Sequence, residues 1–527
     1  MGKIARYLNQ LTVGNVFDSN DVLEAYSTDR SVLKIKPRLV ALPESTEDVR
    51  RLMRFCYQLA AKGIKMPVTV RGSGLDETGA DLGNGLILST EKLNRLLESD
   101  RRERLVRVQG GITLKELNTA LSVNGLTIPV AEHEMETIGG LISNCPTDAY
   151  AGKYGGIMAY VERIEVILPN GDILQTENVS ERALKRKASE KTLEGEIYRK
   201  LVEIIEQNRN ILEDKDRPRL SMAGYSMLTE IQDGHSVNLL PIFFGAQGTL
   251  GVITEVILRA VPIPRPPKRA VATFTSYLDA EKFLDLANAL NPRALELYDI
   301  NIIKTAEETG KRLSEITNKL KSGFVVYAEY DSRRNRSLKK LTKARKNLPK
   351  SAQLIVESPD TAVTLDEFEN SLVSFLNHAK SSERPPIVTD FYVPTRNMSS
   401  FVNDLVVLGN GLKLDLAVYG SYATTNYYLR PKFDISDEDF NRKATAFLKA
   451  GAFVVKRQGG VIAGGAPEGR VKAMVTNDEL SDEEKKMYLE VKKAFDRYDI
   501  MNPSVKLGAD ARYTLRHFRN EAGKVTL

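Results

Sequence analysis

The spacing of apolar and polar positions divides the chain into regimes. From residue 36 to about 262, short apolar alternations are punctuated by glycine. KPRLVALPESTEDVRRLMRF (36–55) predicts a strand ending at Pro43, then a helix capped by Ser45 or Thr46 with Glu47 and Asp48 complementing its dipole. MPVTVRGSGLDETGADLGNGLILS predicts two strands, one around Val68 and Val70 and one from Gly85 to Ser89, joined through a glycine loop. RLVRVQGGITLKELNTALSVNGLTIPV predicts strand, Gly-Gly turn, a helix capped at Thr113 and a stop at Gly125. In VERIEVILPNGDILQT, Asn170-Gly171 separates alternating apolar runs, which predicts a two-residue hairpin. The charged stretch 180–220 predicts exposed helix, and FFGAQGTLGVITEVILRAVPIP a glycine loop and a strand.

PIPRPPKR (262–269) reads as a boundary. Beyond it strands (AVATFTSY, GFVVYAEY, PPIVTDFYV, LDLAVYGSY) alternate with helices, and the final helix ends at Asn502-Pro503. The expected class is α+β: an N-terminal helical segment (1–24), a first lobe (25–265), a second α+β lobe (266–480) and a C-terminal helix and tail (481–527) returning to the first. A chain of 527 residues is long for one core, which agrees with two lobes.

Composition narrows the partners. No apolar run reaches the ~18 residues of a membrane span, and the first residues lack a secretory core, so the cytoplasm is the expected location. Two cysteines, Cys56 and Cys145, are too few for a structural metal cluster. The 75 basic and 69 acidic residues are mixed along the chain, which argues against a nucleic-acid partner. One basic run, DSRRNRSLKKLTKARKNLPK (331–350), reads as a solvated helix; docking to an anionic surface or a partner protein is its alternative.

RGSGLDETG (Arg71 to Gly79) lies between strands, and its glycines let backbone N–H groups turn inward as an anion nest. A strand rather than a helix follows, which disfavours a Rossmann fold. It is accompanied by TIGGLISN (137–144), KYGG (153–156) and GAQGTLGVIT (245–254). In order and spacing these resemble the FAD-binding domain of the vanillyl-alcohol oxidase and p-cresol methylhydroxylase superfamily. AYSTDRSVLKIKPRLVALPESTEDV (25–49) is similar to that domain's opening. The resemblance covers roughly 25–262 and implies that Arg71, Gly72, Ser73, Gly74, Leu75 and Gly79 surround an FAD pyrophosphate. It further implies that Pro129, Thr137, Ile138, Gly139, Gly140, Ser143, Asn144, Gly155, Gly248, Gly251, Val252 and Ile253 hold the rest. Members with covalent flavin at this loop carry histidine where this chain has Leu75, so non-covalent FAD is expected. For His133 and Cys145, near the second segment, packing or loop roles are expected.

The second lobe is similar to the D-2-hydroxy-acid dehydrogenase branch, through PRALELYDINIIK (292–304), GFVVYAEYD (323–331), VTDFYVPTRNM (388–398) and AFDRYDIMNPSVKLG (494–508). That branch brings a metal and a histidine base through G-H-x-G-D-G-N-x-H and E-H-G motifs. Here the first falls on 420–428: Gly420 and Asn426 match, while Ser421 and Tyr428 replace histidines. In the second, Gly465 and Ala466 replace Glu-His, although Gly469, Arg470 and Lys472 match. The branch's substrate arginine falls near 369–371, where there is none, and none of His133, His235, His378 and His517 falls on the motifs. Neutral hydroxyls are poor ligands for a divalent ion, so no metal is expected.

Tyr428, Tyr422 and Asn426 remain as catalytic candidates, with Tyr427 beside them. A tyrosine base would need Lys456, Arg457 or Arg430 nearby, and a packed aromatic strand face is the competing reading. Glu468 reads either as catalytic or as a loop ion pair with Arg470. The implied activity is FAD-dependent oxidation of a CH–OH group by hydride transfer, on a small molecule other than a metal-chelated D-2-hydroxy acid, with an undefined electron acceptor. The alternatives are a non-catalytic flavin-binding subunit or scaffold, and a flavoprotein delivering electrons to a membrane quinone or partner protein through 331–350.

Overall fold

The computed structural model describes residues 2–214, 221–233, 236–308, 316, 320–377, 384–434, 437 and 439–519. His235 and His378 fall outside them.

The first lobe rests on two main sheets. One has four strands in the order Asn15–Phe17, Leu39–Leu42, Leu86–Ser89, Val68–Arg71, the last three parallel. Helix Thr46–Ala61 buries Val49, Leu52, Met53 and Cys56 in the core cluster against it. Ser45 caps that helix, its Oγ accepting the Asp48 N–H at 3.1 Å. The other sheet is antiparallel, in the order Leu96–Asp100, Leu105–Gln109, Val252–Arg259, Val161–Ile167, Ile173–Gln175. Its last pair is the Asn170-Gly171 hairpin, with Gly171 at φ 83°.

Two sequence expectations change here. The N-terminal segment is not wholly helical, because Val16 is apolar enough to bury and Asn15–Phe17 pairs with Leu39–Leu42. The 180–220 stretch is not simply exposed: helix Leu193–Gln207 buries Ile197, Tyr198, Leu201 and Ile204 against the returning C-terminal helix Asp482–Phe495.

The second lobe is one seven-stranded antiparallel sheet, in the order Gln353–Val356, Lys268–Phe274, Phe324–Tyr330, Ala294–Asp299, Leu416–Ser421, Asn426–Pro431, Val388–Tyr392. Helices Tyr277–Asn288, Arg336–Ala344, Met398–Leu412 and Phe440–Arg457 cover its outer face, and phenylalanines 274, 283, 401 and 447 fill that core. Helix Arg336–Ala344, inside the basic run, buries Leu338 and Leu341 and turns its lysines to solvent. The inner face is partly closed by helices Ile300–Glu308 and Ala362–Asn377 and otherwise looks onto the first lobe. No described helix is long and apolar enough to cross a membrane.

The C-terminal return stitches the lobes together. Asn502 Nδ2 donates to the carbonyls of Ala80 and Gln247 at 2.6 and 2.8 Å, and Phe518 packs into the outer core of the second lobe.

Candidate functional site

A cleft holding about 660 Å³ of empty space follows the glycine loops of the first lobe. Gly72, Ser73, Gly74, Leu75, Thr137, Gly139, Gly140, Ser143, Asn144, Gly248, Gly251 and Ile253, each assigned to the cofactor by the sequence resemblance, line it. At two positions the glycine is required. A Cβ on Gly72 would lie 2.3 Å from Thr137 Oγ1. Gly74 has φ 72°, and a Cβ there would lie 2.3 Å from Arg71 Nη2.

Other candidates face elsewhere. Ile138 and Val252 belong to the same motifs but point into core, because helix and strand both present alternate faces. Gly79 backs onto Leu33, and Pro129 and Gly155 are set off from the cleft. The Arg71 side chain turns to the Tyr26 ring, 5.3 Å away, and to the Thr28 carbonyl at 2.9 Å.

Three wall residues carry no sequence signal of their own: Asp76, Asp81 and Gln247. Gln247, at φ 50°, bridges segments by donating to Asn144 Oδ1 at 2.9 Å and accepting the Gly469 N–H at 3.0 Å. Asp76 accepts from Asn144 Nδ2 at 2.8 Å and from the Ala80 N–H at 2.7 Å. Burial, then the Asp81 charge, pushes its pKa up to about 6. Asp29, Asp76 and Asp81 place carboxylate oxygens within 4.8 Å of one another at the glycine loop.

These residues fit an FAD. The loop cradle admits no side chain at Gly72, and the buried Arg71 Nη1 beside it lacks an acceptor. Leu75, lining the cleft, has no atom that could bond covalently to a flavin.

A second cavity between the lobes, holding about 800 Å³ of empty space including open solvent, shares the wall residues Leu75, Asp76, Glu136 and Asn144 with the cleft. Its far wall is the inner face of the second-lobe sheet. Register aligns Glu296, Ser421 and Asn426 in one row and Tyr298, Tyr419 and Tyr428 in the next. The tyrosine rings are near parallel, with centroids 6.1 and 4.7 Å apart. Tyr428 hydrogen-bonds Asp390; burial, then the Asp390 charge, holds its hydroxyl far above the usual phenol range. Asp390 itself sits at φ 55°, a left-handed conformation for a non-glycine residue. Arg430 joins the lobes through Glu77 at 2.7 Å. His133 lines this cavity: burial alone would lower its pKa, but Glu136, 2.7 Å away, outweighs that and raises it to about 9.

Several motif positions resolve differently from the sequence reading. Tyr422 is not at the site: it turns to the outer face, where its hydroxyl donates to Asp285 at 2.6 Å. Tyr427 is likewise outer core. Asn426 does face inward, and its Oδ1 occupies the space a Gly465 side chain would take, 2.1 Å from the ideal Cβ. Tyr428 and Ala466 line the cavity directly. Glu468 pairs with Lys506 at 2.7 Å, both fully buried, while Arg470 reaches Leu82 and Pro503 carbonyls instead. Glu369 is tied to Arg269 at 3.0 Å. Cys145 is buried, which pushes its thiol up to about 12 and leaves it inert as a nucleophile. Sequence reasoning missed Glu132 and Asp390, which line the cavity, and Glu296 and Tyr298, which are buried in the sheet that forms its far wall.

A glycine cleft closed by an antiparallel sheet defines an FAD-linked oxidoreductase architecture. The FAD binding domain family matches residues 37–177 and the C-terminal domain of FAD linked oxidases matches 263–505. The chain therefore carries the FAD binding domain and the C-terminal domain of FAD linked oxidases. It is 25% identical to glycolate oxidase subunit GlcD of Bacillus subtilis, covering 94% of this chain and 95% of that one. D-lactate dehydrogenase of Archaeoglobus fulgidus is 24% identical, over 91% and 95%. D-2-hydroxyglutarate dehydrogenase of Pseudomonas putida is 24% identical over 90% of this chain, which spans only 49% of that protein. Among solved structures, p-cresol methylhydroxylase with substrate bound superposes with TM-score 0.68 at 14% identity, covering 95% of each chain. The 4-ethylphenol oxidase of Gulosibacter chungangensis gives 0.67 at 15%, over 94% and 95%.

Proposed function

We propose that the protein oxidises the CH–OH group of a small molecule at the cavity between its lobes, with non-covalent FAD, and that the substrate is not a metal-chelated 2-hydroxy acid. The observation that carries this is adjacency: the glycine cleft shares wall residues with a cavity whose far wall holds Tyr419, Tyr428 and Asp390 and whose first-lobe side holds a cationic histidine. Gly72 to Leu75, Thr137 to Asn144 and Gly248 to Ile253 would hold the cofactor. Bound FAD supplies the acceptor for the hydride leaving carbon.

The hydroxyl proton is then the task of this chain's side chains. The Tyr428 phenol stays protonated and donates to Asp390. It passes that proton to Asp390 as it accepts the substrate's, so no free phenolate forms. The His133 Nε2 has no partner and serves as a donor to an oxygen bound in the cavity. At the positions where the hydroxy-acid branch places its carboxylate clamp, Asn426 fills the Gly465 space and Glu369 is engaged by Arg269.

Anaerobic mixing of the yellow protein with panels of alcohols, sugars and hydroxy acids tests the reading. Bleaching by at least one is expected, and a flavin that none can reduce would favour a scaffold. Acid precipitation should leave all flavin in the supernatant; yellow colour retained in the pellet would overturn non-covalent binding.

A further inference from the structure

The three tyrosines stacked on the inner face of the second-lobe sheet differ in what their hydroxyls do. Tyr298 donates to Glu296 at 2.9 Å, and Tyr428 donates to Asp390. Tyr419, between them, accepts from Arg430 Nη2 at 3.4 Å, and among the described residues its own O–H meets no acceptor. It lines the cavity. Arg430 behind it is 5% exposed and is held by both Glu77 oxygens, at 2.7 and 2.8 Å, which fixes its charge against the Tyr419 oxygen. A phenol that accepts from a cation is the stronger donor for it.

A second donor faces the same cavity from the first lobe. His133 Nδ1 is taken by Glu136 at 2.7 Å, and Nε2 is buried without a partner. The charge that Glu136 holds on the ring makes Nε2 a donor. Two unfilled donors call for oxygen acceptors, because a donor shut away from water and left unmet is costly. An ammonium group has no lone pair to offer them. A carboxylate has lone pairs but the wrong charge: Asp76, Glu77, Glu132, Glu136 and Asp390 already line the cavity against Arg30 and His133, and acids still outnumber bases with Arg430 counted. Hydroxyl oxygens accept from both donors and bring no charge.

Tyr419 and Tyr428 are cross-strand partners whose rings lie 4.7 Å apart with planes 7° apart, so an oxygen held by Tyr419 is a neighbour of the one that gives its proton to Tyr428. We infer that the substrate is a neutral polyol, and that Tyr419 selects it by donating to the hydroxyl next to the CH–OH that reacts. This rests on the CH–OH reading proposed above. Tyr428 receives the proton in that reading, whereas Tyr419 keeps its own and sets which molecule is bound.

Three probes on one four-carbon skeleton separate the cases: erythritol, erythronate and butan-2-ol. Each is titrated anaerobically into the holoprotein, with the flavin absorbance shift reporting binding and bleaching reporting oxidation. Erythritol is expected to bind at least about tenfold more tightly than the other two. Tyr419→Phe should weaken erythritol binding about threefold to tenfold, the worth of one neutral hydrogen bond, and leave butan-2-ol binding as it was. The loss should fall on the concentration dependence of flavin reduction rather than on its limiting rate. The inference is overturned if erythronate or butan-2-ol binds as tightly as erythritol, if no probe shifts the flavin, or if Tyr419→Phe leaves the preference intact. An equal loss with butan-2-ol would put Tyr419 on the reacting oxygen and overturn it too. If the variant loses its flavin, the wild-type series decides alone. Preferential binding of erythritol without bleaching would keep the polyol inference and sink the CH–OH reading. Bleaching by erythronate or butan-2-ol with no preference for the polyol would do the reverse.

Discussion

Gly72→Val should yield a folded protein that leaves purification with at most about a tenth of the wild-type flavin, a loss of about 1.4 kcal/mol or more in binding. The Cβ would fall 2.3 Å from Thr137 Oγ1, so one of the two cleft-lining segments must move. Thr137 Oγ1 caps helix Ile138–Asn144 by accepting the Gly140 N–H at 3.1 Å. Displacing it costs about 0.5–2 kcal/mol, which a chain of this size can absorb, while the cleft itself is narrowed. The ratio of flavin to protein absorbance measures the loss, and circular dichroism checks the fold. Gly411→Ala is the control, since nothing lies within 4 Å of a Cβ there. A Gly72→Val protein with full flavin would show that these loops are not the cofactor's cradle.

The two halves of the site differ in how far the sequence exposes them, and the reason is physical. Backbone that must approach a ligand closely leaves glycines in fixed order, so the 72–74, 137–144 and 248–253 segments are readable one at a time. Within them, which residue faces the cleft depends on local periodicity, and Ile138 and Val252 fall on the buried side. The substrate wall has no such local mark. Glu296 meets Ser421 only through strand register, and Glu132 reaches Glu296 across the gap between lobes. The Glu468–Lys506 pair spans 38 positions and joins a loop to the C-terminal return, where the sequence offered the nearer Arg470. Alternation along Asn426–Pro431 does separate Tyr428 from Tyr427. It does not place Tyr422, which lies in the turn after Ser421, where period-two reasoning fails.

Tyr428→Phe is expected to keep the flavin and slow its reduction by about 10²–10⁴-fold, the usual worth of a positioned acid or base. The ring should stay in place, since it stacks on Tyr419 at 4.7 Å with planes 7° apart and needs no hydroxyl for that contact. Only the proton route to Asp390 is lost. The substrate must then give its proton to solvent, so the variant's rate should climb with hydroxide concentration where the wild-type rate is flat. KM should change little, because a phenol acting in proton transfer contributes mainly when the bond breaks. Asp390→Asn removes the far end of the same route and should show the same pH signature. Stopped-flow reduction across pH, with the substrate found by screening, measures all three quantities. A purely structural Tyr428 would instead lower thermal stability or flavin content and leave the pH profile unchanged. That outcome would move the proton acceptor elsewhere in the cavity, with the Glu132–Glu296 pair the next carboxyls to test.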